Sequence, residues 1–242
     1  MACISRPASG SFRKIRTIMG IQLVLTCAAF FSAALLSSCS STGNLSGLAA
    51  YQAYDLPAGK PADPGHVRVK VSLRTQRAYV VEGSEILLAM PVSIGAPGSP
   101  TPEGKFAISR KAATERSGRE GYAYRGESVK KTSLANKPRG WNFKGTPLPY
   151  WCQFKPGYGF HTGWLRHHPC TDGCIRMHEN LAPKFFDLVK VGTPVDIAYS
   201  QPEDARVPTL PLPPDAGPLP DYPDSMYLGD GYFTRHKAPV DQ

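Results

Sequence analysis

The segment 66–109 constrains the fold of this chain most strongly. From Val67 to Leu73, apolar residues stand at every second position and charged or polar residues stand between them. A period of two is typical of a β-strand with one buried face. Two more strands are predicted at 77–82 and 86–94, and Glu82-Gly83-Ser84 predicts a hairpin turn between them. The ordered part of the chain is therefore expected to begin with a β-sheet.

Composition and further patterns also favour a mainly β class. Glycine and proline, with 23 and 24 residues, make up about a fifth of the 242-residue chain, nearly twice their usual share. Such a composition indicates many turns and argues against a helical bundle. Four more strands are predicted, at 105–109, 148–154, 158–161 and 194–199.

One helix is predicted, at 180–191. Asn180 is a suitable N-cap, the proline at 183 is tolerated in the first turn, and Gly192 follows the last turn. Apolar residues recur on one face, as in a helix that packs on a core: Leu181, Phe185, Leu188 and Val189. The predicted fold is a mainly β sandwich of two packed sheets with one short α-helix.

The segment 112–146 interrupts this pattern. It is polar, rich in glycine and charged with both signs, and aromatic residues are spread through it: Tyr122, Tyr124, Trp141 and Phe143. Segments of this length usually form lids, binding loops or disorder, and the aromatic residues argue against disorder. Two interpretations stay open, a substrate-facing flap and an irregular structural insertion.

Residues 1–38 are predicted to be a lipoprotein signal peptide. Arg13-Lys14-Ile15-Arg16 gives a positive start, residues 18–36 are apolar without a charge, and small residues precede Cys39. A single membrane-spanning anchor is the alternative, since the apolar run has about nineteen residues. The ending resembles the lipobox of bacterial lipoproteins. That resemblance implies lipidation of Cys39 and a periplasm-facing envelope protein, and Ser40 resembles the outer-membrane sorting pattern.

The segments on either side of the predicted domain lack periodicity. Residues 39–65 are small and polar and then proline-rich, which predicts a flexible tether. Residues 200–242 contain nine prolines and are predicted to be a tail, or an arm that lies on the domain. The ordered domain is therefore expected at 66–199.

The charge of the chain limits the choice of partner. The formal net charge is +9, but residues 1–38 contribute four basic residues and no acidic one, which leaves +5 for the rest. This lowers the support for a nucleic-acid-binding protein, and no nucleic-acid partner is predicted. A mildly basic protein suits an anionic polymer of the cell envelope or a membrane surface equally well.

Candidate reactive residues cluster between residues 158 and 177. A thiol becomes a good nucleophile when an imidazole takes its proton, because the thiolate attacks. His161 and Cys174 can form such a pair. Beside the lipidated cysteine, three cysteines remain after processing in an oxidising compartment. We expect a Cys152–Cys170 disulfide and a free Cys174; the alternative is that all three are buried apolar residues.

Three short segments of the chain together form a recognisable pattern. They are Pro100-Thr101-Pro102-Glu103-Gly104-Lys105-Phe106, Phe160-His161-Thr162-Gly163 and Thr171-Asp172-Gly173-Cys174-Ile175-Arg176-Met177. The pattern resembles the L,D-transpeptidase catalytic domain (YkuD type) of bacterial cell-wall enzymes, over about 66–199. It departs from the family at Asp172, where many members have histidine. The short separation of His161 and Cys174 implies a tighter loop than is usual.

The resemblance implies catalytic roles for three residues. Cys174 matches the family's nucleophile and His161 matches its histidine base. Gly173 has no side chain to block the turn, so the backbone N–H groups at 173 and 174 could form an oxyanion hole. His161 would accept the proton of Cys174 to give a thiolate–imidazolium pair, and the imidazolium could then protonate the leaving amine.

Three more residues are expected to bind substrate: Thr171, Thr162 and Arg176. Thr171 matches the hydroxyl position of the family motif. The planar guanidinium of Arg176 suits a substrate carboxylate, and an internal salt bridge is the alternative. The remaining histidines of this region are expected to be solvated or structural: His167, His168 and His178.

The resemblance also implies the reaction. The donor would be a peptidoglycan tetrapeptide stem, cleaved between the L-centre of its diamino acid and the terminal D-alanine. The acyl group would pass to an amine of a neighbouring stem or of a protein, or to water. No cofactor and no metal are expected, and carbapenems are expected to acylate the thiol.

Two other interpretations of the sequence compete with this one. A metal-binding module could use the cysteines and histidines of the central stretch, but their spacing fits no standard zinc pattern. A lipid-anchored wall-binding protein with the same fold and no turnover is the second, because motif residues can persist without competent geometry.

Overall fold

The part of the chain that the structure describes is residues 43–219 and 221–235 of a computed structural model. The predicted signal peptide at 1–38 and the predicted lipidation of Cys39 lie outside the described residues. Among the residues described, no helix combines the length and the apolar character that crossing a membrane requires.

The described residues form twelve strands and five helices. The strands are β1 (Val67–Ser72), β2 (Arg77–Glu82), β3 (Glu85–Ser93), β4 (Gly104–Ala107), β5 (Arg110–Ala112), β6 (Arg116–Arg125), β7 (Ser128–Ser133), β8 (Asn142–Pro147), β9 (Trp151–Lys155), β10 (Tyr158–Thr162), β11 (Ile175–Met177) and β12 (Pro194–Ala198). The helices are α1 (Gly43–Gln52), α2 (Leu181–Leu188), α3 (Glu203–Arg206), α4 (Asp224–Leu228) and α5 (Gly231–Arg235).

A nine-stranded sheet forms the body of the molecule, in the order β4-β12-β1-β2-β3-β11-β10-β9-β5. Its two halves share β3 and curl around one core. Near the two ends of the sheet, the rings of Phe106 in β4 and Phe154 in β9 are 5.3 Å apart. The prediction of a mainly β fold is confirmed, and the two packed sheets are the halves of this curled sheet.

The core explains the period of two in the first strand. Val67, Val69 and Val71 of β1 are buried inside the curl, and the residues between them are less buried or face other elements. Helix α2 packs on the same core through Leu181 and Phe185, both with no exposed surface. It is the one helix within 66–199; the other described helices lie outside that range.

Asn180 precedes α2 as predicted, but its side chain does not cap the helix. The Asn180 amide instead donates hydrogen bonds to the carbonyl oxygens of Gln52 and Tyr54, at 2.8 and 2.9 Å. The capping prediction is therefore wrong, because these two carbonyls engage the amide. The bonds fasten the end of α1 to the start of α2.

Residues 43–66, the described part of the chain before β1, pack on the fold and do not form a flexible tether. Tyr51 of α1 is buried, with its ring centroid 4.5 Å from that of His178 and 5.1 Å from that of Trp164. The Tyr51 hydroxyl accepts a hydrogen bond from the Leu165 N–H at 2.9 Å. The flexible tether predicted for 39–65 followed from the average composition of the segment. The buried ring of Tyr51 is a single residue that this average does not report, and it docks α1 on the domain.

The chain after β12 also continues the domain, through the buried carboxylate of Asp204. The hydroxyl groups of Ser72, Thr75 and Tyr79 donate hydrogen bonds to it at 2.8, 2.8 and 2.9 Å. The Gln201 N–H donates a further bond at 3.2 Å. Burial alone raises the pKa of Asp204, but these hydrogen bonds outweigh it and hold the pKa below its ordinary value.

Replacing Asp204 with asparagine should lower the free energy of unfolding by about 3 kcal/mol, because several buried hydroxyl groups lose a charged acceptor. Since the pKa is lower in the folded state, the Asp204 contribution is full above about pH 4 and is lost as the pH falls through the folded pKa. Urea unfolding at several pH values measures both effects.

The exposed Asp187 provides a matched control for that measurement. Asp187→Asn makes the same chemical change and should alter stability by less than about 0.5 kcal/mol. Equal stability of the two variants would contradict a structural role for Asp204.

The segment 112–146 contains an ordered antiparallel sheet, in the order β7-β6-β8. We call β6, β7 and β8, residues 116–147, the insertion sheet. Of the two interpretations of this segment, the irregular insertion is wrong, because its backbone is paired throughout these strands. One face of the sheet buries Tyr122 against Tyr227, with the two rings stacked at 5.4 Å.

Residues 208–219 and 221–235 form an arm that lies on the domain; we call them the C-terminal arm. Its Asp215 pairs with Arg166 at 3.0 Å, and its Asp221 accepts a hydrogen bond from the Trp164 Nε1 at 3.0 Å. At its far end, Arg116 of the insertion sheet donates to the Tyr227 carbonyl at 2.8 Å. The arm thus bridges the curled sheet and the insertion sheet.

Candidate active site

The loop before β11 presents Cys174, and hydrogen bonds within the loop hold it in place. The Thr171 hydroxyl donates to the Cys174 carbonyl at 2.6 Å and accepts from the Gly173 N–H at 3.2 Å. Thr171 is buried. The hydroxyl is used within the loop and positions Cys174, and its predicted role in binding substrate stays a prediction.

A second threonine attaches this loop to the rest of the domain. The buried Thr101 donates a hydrogen bond to the Gly173 carbonyl at 3.0 Å and accepts one from the Gly95 N–H at 2.9 Å. The segment 100–106, which carried part of the resemblance, thus supports the Cys174 loop. Its role is to position the loop and not to carry out chemistry.

Gly173 is required by the shape of the loop. Its φ is +98°, a region that side chains disfavour, and a Cβ there would lie 2.5 Å from Cε1 of Tyr158. However, its N–H already donates to Thr171, so it is not free for an oxyanion. The predicted pair of N–H donors is therefore reduced to that of Cys174, which makes no hydrogen bond within the described part of the chain.

The parallel pairing of β10 and β11 brings His161 next to the Cys174 loop. Phe160 is opposite Ile175, and both are buried in the core. His161 is opposite Arg176, so these two side chains share the other face of the sheet. Cys174 directly precedes Ile175, the first residue of β11.

A backbone hydrogen bond selects the tautomer of His161. The Nδ1 of His161 lies 2.8 Å from the Thr162 carbonyl oxygen, which can only accept. Nδ1 therefore carries the proton, and Nε2 has the free lone pair that a general base needs. The ring packs beside Trp151 at 6.2 Å between centroids, which restricts its rotation.

The surroundings of His161 and Cys174 disfavour the charged form of each group. Burial, together with the positive charge of Arg176, lowers the pKa of His161 to about 4. Burial raises the pKa of the Cys174 thiol above its ordinary value, and the backbone at Gly159 and the charge of Arg176 offset only part of this. Both shifts favour a thiol and a neutral imidazole over a thiolate–imidazolium pair before substrate binds.

Arg176 faces a cavity and not an internal carboxylate. Its Nη1 donates to the Trp164 carbonyl at 3.0 Å, and within the described residues it forms no ion pair. The internal salt bridge is thus not formed there. The side chain crosses Gly163, where a Cβ would lie 2.7 Å from the Arg176 Cδ. Glycine at 163 therefore makes room for the arginine.

The cavity next to His161 has a volume of about 370 Å³. Three parts of the chain line it. Residues of the curled sheet and its loops include His161, Thr162, Arg166, Cys170 and Arg176. The insertion sheet adds Tyr122 and Lys131, and the C-terminal arm adds Asp221, Tyr227 and Tyr232. Cys174 is not among the lining residues; its Sγ lies 3.9 Å from the Gly157 carbonyl oxygen.

Thr162 lines this cavity. It is 3% exposed, and its hydroxyl oxygen has no hydrogen-bond partner in the described part of the chain. A buried hydroxyl group without a partner is unfavourable until a ligand or water supplies one. The predicted contact of Thr162 with substrate stays a prediction.

The cysteines are not paired as predicted. Cys152 and Cys170 are both free. Cys152 lies in the core, where burial raises the pKa of its thiol to about 12. Cys170 lines the cavity on the other side of the sheet, with its Sγ 3.9 Å from Nη1 of Arg176. The expected Cys152–Cys170 disulfide is wrong, because the two side chains point to different faces.

The other histidines are structural or solvated, in line with the sequence. His178 is fully buried, and its Nε2 lies 2.9 Å from the Tyr51 carbonyl oxygen. The Nε2 of His167 lies 2.8 Å from the Pro213 carbonyl oxygen, and His168 is exposed. Across residues 43–219 and 221–235, no three metal-ligating side chains converge.

Sequence reasoning missed the contribution of the arm to this site. Tyr222, Tyr227 and Tyr232 recur at intervals of five in a segment that is otherwise rich in proline. That density of aromatic residues was the available signal, since a solvated tail rarely carries large apolar rings. Trp151, whose ring packs beside His161, was likewise not predicted.

Solved structures that resemble the chain include an L,D-transpeptidase from Mycobacterium smegmatis, 20% identical with a TM-score of 0.42, where the match covers 55% of this chain and 58% of that chain. L,D-transpeptidase 1 of Mycobacterium tuberculosis is 22% identical with a TM-score of 0.39, and the match covers 55% of this chain and 61% of that chain. The chain thus spans about three fifths of their length.

Curated protein sequences provide no match. The sequence model of the L,D-transpeptidase catalytic domain (YkuD) matches residues 66–197, which is more than half of the chain. The match contains the curled sheet, the insertion sheet and the Cys174 loop. The chain belongs to the L,D-transpeptidase catalytic domain (YkuD) family.

Proposed function

We propose that this protein is a cysteine-dependent L,D-transpeptidase that acts on peptidoglycan tetrapeptide stems through an acyl-enzyme on Cys174. The family supports the reaction class. The observation that carries the assignment is the tautomer of His161, whose Nδ1 bond to the Thr162 carbonyl leaves Nε2 free as a base. His161 lies on β10, and β10 pairs with β11, the strand that follows the Cys174 loop.

Acylation begins with a neutral thiol. The Cys174 Sγ attacks the carbonyl between the L-centre of the diamino acid and the terminal D-alanine while His161 Nε2 takes the thiol proton. The oxyanion is stabilised by the Cys174 N–H. When the C–N bond breaks, the imidazolium gives its proton to the leaving amine. D-alanine is released, and the acyl group stays on Cys174 as a thioester.

Deacylation reverses the proton transfers. An amine of a second stem or of a protein attacks the thioester carbonyl, and His161 accepts the proton of that amine. The C–S bond then breaks, the thiolate is reprotonated, and the enzyme returns to its neutral resting state. Water as acceptor makes the same site a carboxypeptidase. The guanidinium of Arg176 and the hydroxyl of Thr162 bind the stem in the adjoining cavity.

Intact mass spectrometry tests this function. The protein is incubated with a disaccharide-tetrapeptide and, separately, with a carbapenem. We expect a covalent adduct that maps to Cys174, and release of D-alanine from the peptide. The other products separate transfer from hydrolysis. Absence of any adduct on a folded protein with reduced Cys174 would contradict the proposal and favour a wall-binding role without turnover.

We also propose that residues 1–38 are removed and that a lipid on Cys39 anchors the protein to the membrane, facing the periplasm. The sequence before Cys39 supports this. Metabolic labelling with a radioactive fatty acid should label the wild-type protein and not the Cys39→Ala variant. Equal labelling of both would contradict it.

The pKa of His161 predicts how acylation depends on pH. Its value of about 4 means that Nε2 keeps its lone pair until the solution is strongly acidic. The rate of carbapenem acylation should therefore be nearly constant from about pH 8 down to about pH 5 and should fall below that as His161 takes up a proton. Stopped-flow measurements over this range test it; a loss of rate centred near the ordinary histidine value would contradict it.

A further inference from the structure

The positive charge of the protein is concentrated in the insertion sheet. Residues 116–147 contain eight basic and two acidic residues, a net charge of +6. The rest of the described chain contains 15 basic and 16 acidic residues, a net charge of −1. Attraction to an anionic partner is therefore localised at this sheet and not spread over the molecule.

Four cations on the strands of this sheet are exposed and form no ion pair with any described residue: Arg119, Arg125, Lys130 and Lys131; a fifth, Arg139, lies in the connection between β7 and β8. All four lie on β6 and β7, and we call these two strands the cationic hairpin. A cluster of like charges is unfavourable by itself, because the charges repel one another. An anionic partner would remove that repulsion.

The same sheet already binds a carboxylate within the chain. Asp230 of the C-terminal arm lies 3.2 Å from Nη2 of Arg116 and 3.5 Å from Nζ of Lys144. These contacts hold the pKa of Asp230 below its ordinary value, chiefly through the Arg116 hydrogen bond. A carboxylate is thus held between a cation of β6 and a cation of β8.

The hairpin extends from the surface to the cavity at His161. β7 is an edge strand, and successive side chains of a strand point to opposite faces. Lys131 is opposite Tyr122 and lines the cavity. Lys130 is opposite Ala123 and lies on the other face. A polymer held on the hairpin can therefore pass around the β7 edge and place one of its branches at the cavity mouth.

We propose that the cationic hairpin is a docking surface for the carboxylate-bearing peptide stems of peptidoglycan. It holds the polymer through many weak charge contacts while a single stem enters the cavity. Each exposed pair contributes little alone, so the surface suits a partner with repeated carboxylates. This inference rests on the proposed function, because it takes its partner from that reaction.

Co-sedimentation with insoluble peptidoglycan tests the docking surface, using the full-length chain in a non-ionic detergent. The variant Arg119→Gln/Arg125→Gln/Lys130→Gln removes three charges and keeps Lys131, which lines the cavity. We expect its affinity to fall about tenfold at low salt. Wild-type binding should weaken steeply between about 25 and 300 mM NaCl.

The matched control removes three exposed cations elsewhere. Lys60, Arg68 and Lys105 are exposed and lie outside the insertion sheet. Lys60→Gln/Arg68→Gln/Lys105→Gln should bind peptidoglycan like the wild type. Equal losses in both triple variants would overturn the proposal, since total charge and not the hairpin would then govern binding. Unchanged binding in the hairpin variant would overturn it as well.

Chemical changes in the partner identify what is recognised. When the carboxylates of the polymer are converted to uncharged amides, wild-type binding should fall to the level of the hairpin variant. Tighter binding to phosphatidylglycerol vesicles than to peptidoglycan, lost in the hairpin variant, would overturn the proposal and assign the surface to a membrane.

Failure of the docking surface can be told apart from failure of the proposed function. The hairpin variant should form the carbapenem adduct on Cys174 at the wild-type rate, because none of its three positions contacts the catalytic residues. If the wild type forms no adduct, the proposed function is contradicted, but the binding of the two triple variants can still be compared. A normal adduct with unchanged polymer binding contradicts the docking surface alone.

Discussion

Replacing Cys174 with alanine should abolish the carbapenem adduct and lower turnover of the tetrapeptide by at least about a thousandfold. The side chain supplies the atom that forms the thioester, and the described part of the chain offers no other group at that place. The loop should survive the change, because its bonds run through Thr171, Thr101 and the backbone. Intact mass and product release measure the two effects.

Cys170 provides the matched control for this experiment. Its thiol is free, lines the cavity and lies 3.9 Å from Arg176, so it is the competing nucleophile. The Cys170→Ala variant should still form the adduct, on Cys174. If the adduct persists in Cys174→Ala and disappears in Cys170→Ala, the nucleophile is Cys170 and the proposed mechanism is wrong.

Replacing His161 with glutamine should slow acylation by about 10²- to 10⁴-fold, the usual contribution of a general base. Glutamine is of similar size and its amide can still donate to the Thr162 carbonyl, but it cannot accept the thiol proton. The Cys174 thiol then ionises only by itself, at a pKa that burial has raised. Single-turnover acylation by a carbapenem measures the loss.

Two further readouts separate the base from a structural role of His161. The fall in rate near pH 4 that the wild type should show belongs to His161 and should be absent from the variant. His161 is buried beside Trp151, so a variant that misfolds there should show a lower melting temperature. We expect thermal unfolding of the glutamine variant to remain cooperative, as for a folded protein. Acylation at the wild-type rate in a folded variant would assign the base to another residue.

The strands and the reactive pair could be predicted because both are local in sequence. A period of two reports burial on one face, and β1 buries Val67, Val69 and Val71 as expected. The motifs also lie on neighbouring segments of the structure, since β10 and β11 are joined by a short connection and pair in parallel. Short-range patterns therefore predicted most of the strands, and the catalytic roles of His161 and Cys174 stay predictions.

What could not be predicted depends on contacts between distant segments. The acceptor for the Thr171 hydroxyl, the lowered pKa of His161, the raised pKa of Cys174 and the faces of Cys152 and Cys170 all follow from packing. Composition misled at the N-terminal end of the domain, and at the C-terminal end it left open whether the segment is a tail or an arm. Tyr51 docks in a segment of small residues, and Tyr227 docks in a segment rich in proline.

The buried Asp204 and Tyr51 decide where this domain can be cut. The family match ends at residue 197, and a fragment made to those limits would lack both residues. The hydroxyl groups of Ser72, Thr75 and Tyr79 would then lose their shared acceptor, and the rings of Trp164 and His178 would become accessible to water. A fragment that keeps this interior closed therefore includes Tyr51 and Asp204 as well as residues 66–197, and recombinant work on the isolated domain should start from boundaries that contain both.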